Sequence, residues 1–513
     1  MTRLGRDIYR RKLERLLAQS QDEPMIGLIS AIVGIQGGYE APLSAVLDMP
    51  REAIGAELGS RYHVPLWTME TLVNELLATP KIRNQGIGRT RLLRADLFET
   101  VRVLVSILVK LENAEDSIFL QSHDVFYEMG RIAQRQFPWQ RGAANAPQLY
   151  RSMLLYGSGS AGQFFEESTG IAIADFVKVG AYLAGALGRC ELIDRRRDLS
   201  SVAISPEMCE AAFARFVIGH AEARARTAQI RAPGRHTAYR PSILRDYPVL
   251  AFGGAGQRLR APIPELITYR YTSGLYLDVV RGGGGVWAGI GSRFETYVCE
   301  YLEAMMAPYK VTGEAIYGPK KARFRTPDVL ISDTRHVLCA VECKAKRMSF
   351  EARFADDPLV EDARGFDEMA KGVLQLWRFF AHARRGLTAP LSLAGDCQGV
   401  IVTADSWLTM ARNQAEQVLA AANKLADGEW DIGLEDRRDI TFCQIDDVEF
   451  VLQHGTADSF IAACREVASG EKKGWMLSVA HSANQNFERS YPFNGRIGSL
   501  LPWLVPEERE RTL

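Results

Sequence analysis

The sequence predicts a multidomain α+β chain. It expects a mainly α-helical N-terminal half and a C-terminal α/β domain with a central mixed β-sheet flanked by helices. Three observations predict this. The 513 residues suggest about three domains at roughly 150 residues each. Before residue 230 the apolar positions recur at helical spacing, and strand-like alternation is rare. After the glycines at 282–285, strand-like runs alternate with amphipathic helices. The expected divisions are a helical domain over 1–230, a basic connector over 231–285 and an α/β domain over 286–513.

Leu93, Leu97, Val101, Leu104, Leu108 and Leu111 share one helical stripe within 92–111. Ser205-Pro206-Glu207 reads as a helix start: the serine caps free N–H groups, proline suits the first turn and glutamate complements the dipole. That helix is expected to run on through Ala211–Arg226. Arg224, Arg226, Arg231, Arg235 and Arg240, with Pro233 and Gly234 among them, read as a linker or exposed arm. Tyr247–Phe252 is expected as a strand, Pro264–Val280 as a helix and Gly282–Gly285 as a loop or hinge. Ser292–Met306 is amphipathic and helical. Val311–Tyr317, Asp328–Ser332 and Val337–Lys344 read as strands, Phe366–Arg384 as a long helix, and Gly399–Thr403 and Phe442–Leu452 as further strands. Helices are expected near Leu408–Leu425 and Ser459–Val467.

Hydrophobic residues make up 47% and charged residues 24%, which excludes a disordered, collagenous or disulfide-scaffold chain. Eight cysteines without a CxxC pair suggest reduced thiols and a cytoplasmic location. No apolar run is long enough to span a bilayer, and no secretory signal is read, so no membrane partner is expected.

The 62 basic and 62 acidic residues cancel, but the zero hides a distribution. Residues 221–350 hold 20 Lys and Arg against 11 Asp and Glu, a net of +9, and residues 351–470 hold 11 against 21, a net of −10. A smaller basic cluster is Lys81, Arg83, Arg89, Arg91 and Arg94. Solvated faces would explain each cation singly.

The basic segment contains the strongest chemical motif. Thr326-Pro327-Asp328-Val329-Leu330-Ile331 is followed by Ala340-Val341-Glu342-Cys343-Lys344-Ala345-Lys346. Period-2 alternation puts Glu342, Lys344 and Lys346 on one strand face, with Val341, Cys343 and Ala345 on the other. If Asp328 begins a strand paired with this one, its carboxylate approaches Glu342. Two carboxylates and the backbone carbonyl of Cys343 would form a hard-oxygen site suited to Mg²⁺. Lys344 would then orient or deprotonate a water and offset transition-state charge. The competing reading is a solvent-facing Glu342–Lys344 pair.

The motif resembles the PD-(D/E)XK nuclease superfamily, the restriction-endonuclease-like fold, over roughly residues 285–405. Pro327-Asp328 and Glu342-Cys343-Lys344 carry the resemblance, and the helix beginning Gly291-Ser292-Arg293-Phe294-Glu295 fits the family's acidic first helix. Gln375, with Phe379 where some branches carry Tyr, fits the helix after the motif. The resemblance implies a Mg²⁺- or Mn²⁺-dependent nuclease with Asp328, Glu342 and Lys344 catalytic and Glu295 and Gln375 assisting. Asp328, Glu342, Glu295 and the Cys343 carbonyl would be the metal ligands. Lys320, Lys321, Arg323, Arg325, Lys346 and Arg347 are expected to engage phosphates, of DNA first and RNA second. A protein partner could bind through the helical region, a homo-oligomer is compatible, and prokaryotic defence or DNA processing is the setting by analogy. The alternative is a non-catalytic nucleic-acid-binding or scaffold protein with a nuclease-like domain.

Other motifs carry less. Gly157-Ser158-Gly159-Ser160-Ala161-Gly162 matches GxGxxG, but its surroundings look helical, so a small-residue loop between helices is expected. Gly283–Ala288 matches the looser GxGxxA without a clear preceding strand. His336, Cys339 and Cys343 lack a fourth ligand and zinc spacing. No P-loop, GxSxG or HExxH occurs.

Overall fold

The computed structural model describes residues 3–39, 47–82, 92–121, 123, 125–140, 142, 145–190, 192–231, 236–355, 357–481 and 487–504. Arg83, Arg89, Arg91, Pro233, Gly234 and Arg235 lie outside the described residues. The chain is mixed α/β and divides into two compact units. The first comprises residues 1–123, 135–145 and 162–281, and the second 124–134, 146–161 and 282–513. The expected helical half therefore lends two short stretches to the second unit.

In the first unit, α1 (Arg3–Ala18), α2 (Asp22–Gln36), α3 (Leu66–Ala78) and α4 (Phe98–Phe119) surround an apolar core containing Leu13, Leu17, Ile29, Ile32, Leu72, Leu76, Leu104 and Leu108. α2 is buried on nearly every side from Met25 to Ile35, which is why its sequence is apolar all round. After α5 (Ile173–Arg189) and β1 (Ile193–Asp194) comes α6 (Pro206–Phe216). Its start is the expected cap, with the Ser205 hydroxyl accepting from the Met208 N–H. The expected continuous helix through Arg226 is broken: β2 (Val217–Gly219) intervenes before α7 (His220–Ile230). β2 pairs in parallel with β3 (Val249–Phe252), which pairs antiparallel with β4 (Arg258–Arg260). α8 (Glu265–Tyr271) and α9 (Leu275–Val279) divide the expected single helix over 264–280. Residues 236–281 thus fold into this unit, where a separate connector was expected.

The arginines of that stretch are not an exposed arm. Arg224 donates to Asp22 at 2.6 Å, Arg240 to Glu75 at 2.8 Å, and Arg245 grips Glu70 through two bonds of 2.7 and 2.8 Å. Arg231 pairs with Glu14. Asp22, Glu70 and Glu75 are buried, and carboxylates taken from water need such partners. Arg226 alone of the described five stays exposed, paired with Glu222 at 2.5 Å.

The continuous part of the second unit, from residue 282, opens on α10 (Gly283–Met305). The expected glycine loop is the first turn of this helix; only Gly283 has a positive φ, 80°. The buried stripe Val286, Ile290, Phe294, Tyr297, Val298, Tyr301, Leu302 and Met305 holds a helix whose first turn has poor propensity. Then come β5 (Lys310–Gly313), β6 (Ile316–Tyr317), β7 (Phe324–Arg325), β8 (Val329–Ser332), β9 (Val337–Lys344), α11 (Ala363–Arg384), β10 (Leu393–Thr403), α12 (Arg412–Ala426) and β11 (Ile440–Gln444). The main sheet has the order β11-β10-β9-β8-β5, and β6 and β7 form a separate hairpin. β10 pairs in parallel with both β9 and β11, and β5, β8 and β9 are antiparallel, so the sheet is mixed. The expected strand over 442–452 ends at Gln444; Ile445–Gln453 is α13, with Asp446 and Asp447 in its first turn, where acids suit the dipole. α14 (Ala457–Ser469) follows.

The two borrowed stretches are tied into this unit by polar contacts. Arg151, on the helix Ala146–Tyr156, is buried against Glu449 and Asp446. The Ser406 hydroxyl donates to the Gln134 amide oxygen at 2.8 Å. Within the GxGxxG match, Gly157 and Ser158 join that helix to the next, which begins at Gly159, as a loop between helices should.

Candidate active site

Register brings the motif together. Val329 lies opposite Val341 across β8 and β9; one residue further, the antiparallel count places Asp328 opposite Glu342. Directly opposed residues have Cβ atoms about 4.5–5.5 Å apart. Asp328 Oδ2 accepts the Cys343 N–H at 2.7 Å. In a ladder, one residue's N–H and C=O face the same neighbour, so the Cys343 carbonyl also faces Asp328. The Lys344 carbonyl faces the other way, accepting from Ala404 N–H at 3.1 Å.

Glu342 is only 4% exposed, which excludes the solvent-facing pair. Its Oε1 accepts from Lys344 Nζ at 2.8 Å, and the same ammonium reaches Gln375 Oε1 at 3.2 Å. α11 supplies Gln375 and, one turn earlier, Gly372. A Cβ on Gly372 would sit 2.9 Å from Lys344 Cε and 3.6 Å from Glu342 Cγ, so the missing side chain makes room for both under the helix.

The electrostatics follow from crowding. Burial raises the Glu342 carboxyl to about 7, with Asp328 and Glu295 adding repulsion and Lys344 opposing it. Burial also raises Asp328; its bond from Cys343 and the charge of Lys344 pull it back, and Glu314 pushes it up. Glu295, on the exposed side of α10, is raised by desolvation and then by Asp328 and Glu314. For Lys344, burial works to lower the ammonium and the adjacent Glu342 more than reverses it, so it holds its proton more tightly than usual.

Among the described residues, no group of three or more His, Cys, Asp and Glu side chains is arranged to hold a metal ion. The donors that face one another are Asp328, Glu342 and the Cys343 carbonyl, with Glu295 close enough to feel their charge. All are hard oxygens, and carboxylates crowded enough to bind protons unusually well fit a small divalent cation.

The expected phosphate-binding residues separate. Lys320, Lys321, Arg323 and Arg325 are exposed on or between β6 and β7, just before Asp328. The hairpin is anchored by its aromatic foot: Tyr317 Oη lies 2.8 Å from His382 Nδ1, and the Phe324 and His382 rings are 4.3 Å apart. Lys346 is half-buried, 3.1 Å from Asp362. Arg347 faces inward, 3.6 Å from the Asp405 carboxylate it shares with Arg353, and is no part of the open basic surface.

Sequence reasoning missed Glu314. Gly313 pairs with Val329, so the same count sets Glu314 opposite Asp328 and makes a row of three carboxylates across β5, β8 and β9. Its side chain is 3.1 Å from Arg325. The signal was the acid just after a short strand, legible only once the register is known. No protein-family model, curated protein or solved structure matches the chain.

Proposed function

We propose that this chain is a metal-dependent nuclease of the PD-(D/E)XK type, with a restriction-endonuclease-like second unit, hydrolysing phosphodiester bonds of DNA in prokaryotic defence or DNA processing. The observation that carries the reading is the meeting of Asp328, Glu342, Lys344 and Gln375 at one end of a mixed sheet, in the order helix, strands, helix. Asp328, Glu342 and the Cys343 carbonyl would hold Mg²⁺ or Mn²⁺, with Glu295 assisting; when bound, the ion supplies Lewis-acid polarisation and charge neutralisation at the phosphate.

The chain's own residues supply the rest. Lys344 keeps its proton at neutral pH, so it serves as a donor to a phosphoryl oxygen or to the attacking water, rather than as a base. Gln375 and Glu342 fix the ammonium from two sides, which limits the reorganisation needed as charge develops. Lys320, Lys321 and Arg323 meet the flanking phosphates.

The test is incubation of purified protein with DNA and RNA, with and without Mg²⁺ or Mn²⁺. Metal-dependent cleavage lost in Lys344→Ala and Asp328→Ala is the expected result, and cleavage unchanged in both variants overturns the assignment. A second reading, a non-catalytic nucleic-acid-binding or scaffold protein, is favoured by the lack of a preassembled three-ligand metal group among the described residues. Calorimetry separates the two: no Mn²⁺ site dependent on Asp328 and Glu342 selects the second.

A further inference from the structure

α1 carries six cations and two acids, and the fold sorts them. Arg10 turns inward, donating to Glu75 at 2.8 Å and Glu115 at 3.1 Å. Glu14 is held by Arg231, and Asp7 by Arg6 at 3.2 Å. Both acids of the helix are thereby taken. Arg3, Arg11, Lys12 and Arg15 are exposed, with no ion pair among the described residues. Of the four acids on the neighbouring helix, exposed Glu99 pairs with Arg102 and half-buried Asp116 lies 3.9 Å from His236. α4, against which α1 packs, turns Glu112 to Arg135 and Glu115 to Arg10. Its exposed positions include Ser106, Lys110, Asn113 and Ser117.

We infer that the solvent face of α1, with Arg3, Arg11, Lys12 and Arg15, is a docking surface for the phosphate backbone of a nucleic acid. From Arg3 to Arg15 the helix rises about 18 Å, the length of about five phosphates of one strand. Four unneutralised cations over that length form a surface whose complement is a polyanion. An anionic membrane suits the helix less well. An interfacial helix inserts its apolar face, and here Leu13 and Leu17 are buried in the core with Tyr9 and Leu16 packed beside them. Only Leu4 and Ile8 remain as exposed large hydrophobics on α1, at 74% and 53%. The choice of nucleic acid among polyanions leans on the preceding functional reading; the charge sorting does not.

The experiment measures binding of the full chain to a labelled 30-base-pair duplex in EDTA, where metal-dependent cleavage is silent. The variant is Arg11→Glu/Lys12→Glu/Arg15→Glu, with the neutral triple glutamine variant as the milder companion. Helical circular dichroism and melting temperature should stay unchanged in both. The expected result is an affinity at least tenfold weaker for the charge reversal and a log K against log [salt] slope flattened by about 3, with the glutamine variant between it and wild type. Unchanged affinity overturns the inference, as does a wild-type protein that does not bind the duplex. A variant that loses binding only to phosphatidylserine vesicles also overturns it. Cleavage is assayed separately with Mg²⁺ and Asp328→Asn, so an absent nuclease with a surviving α1 effect, or the reverse, identifies which reading failed.

Discussion

Two stretches of this chain look alike on a charge count and meet opposite fates. Between 224 and 245, Arg224, Arg231, Arg240 and Arg245 are drawn onto the buried or half-buried carboxylates Asp22, Glu14, Glu75 and Glu70. Between 320 and 325, Lys320, Lys321, Arg323 and Arg325 stand in solvent on an anchored hairpin, and among the described residues only Arg325 has an acid, Glu314. The first set neutralises the interior of a helical unit, and the second stays open to a ligand. The difference lies in the acids. α3 places Glu70 and Glu75 inside the fold, so arginines more than 160 positions away in the chain must reach them. Near the hairpin, Asp328, Glu342 and Glu295 crowd one another, and Glu314 beside them reaches Arg325. A positive segment therefore identifies a binding surface only after its inward-facing partners are subtracted.

The sharpest way to break that contrast is Arg245→Ala. It strands Glu70 in the core, and breaking a buried pair from one side costs about 3–5 kcal/mol. Urea unfolding should show a loss of that size, with Glu70→Gln/Arg245→Met recovering much of it. A change near zero would place Arg245 with the exposed set. On the other side, Lys344→Ala should lower the rate of DNA cleavage by about 10²–10⁴-fold while preserving duplex binding in EDTA. Parallel loss of fold and activity would mean that Lys344 belongs with the structural cations.

Much of the candidate site was legible because its signals are local. Asp328, Glu342 and Lys344 sit in apolar runs whose alternation gives the faces directly, and Gln375 lies on a long amphipathic helix. What failed was non-local or context-driven. The partners of the arginines lie across the sequence. Val217-Ile218-Gly219 became a strand because β3 lies beside it. Gly283–Gly285 became helical because Val286 to Met305 bury a stripe. At Gln444 the chain turns from strand to helix, and the mark of that switch is the pair Asp446-Asp447 set inside an otherwise largely apolar run.

A smaller effect tests the acids themselves. The Glu342 carboxyl stands at about 7, above its ordinary 4.5, so the folded state keeps a proton that the unfolded chain has released. Metal-free protein should lose stability as pH rises from about 4.5 to 7, and Glu342→Gln should remove that slope. Divalent binding must expel the proton, so Mn²⁺ affinity should rise up to tenfold per pH unit below 7 and level off above it. Calorimetry in two buffers of different ionisation heat reads the proton released. Affinity flat from pH 5.5 to 8 would mean Glu342 is not a ligand.

The mildest test returns to the hairpin. Lys320→Ala/Lys321→Ala/Arg323→Ala removes three exposed cations for which no acid competes among the described residues. Exposed charge contacts are worth a few tenths of a kcal/mol each, so duplex affinity should fall about fivefold near 0.1 M salt, and the salt slope should flatten by up to about 3. The melting temperature should not move, because Tyr317 and Phe324 hold the hairpin to α11 through His382 and Phe379. That silence in stability separates this triple from Arg245→Ala. If the triple instead lowers the melting temperature and leaves binding alone, the hairpin's cations serve the fold, and the two basic stretches are alike after all.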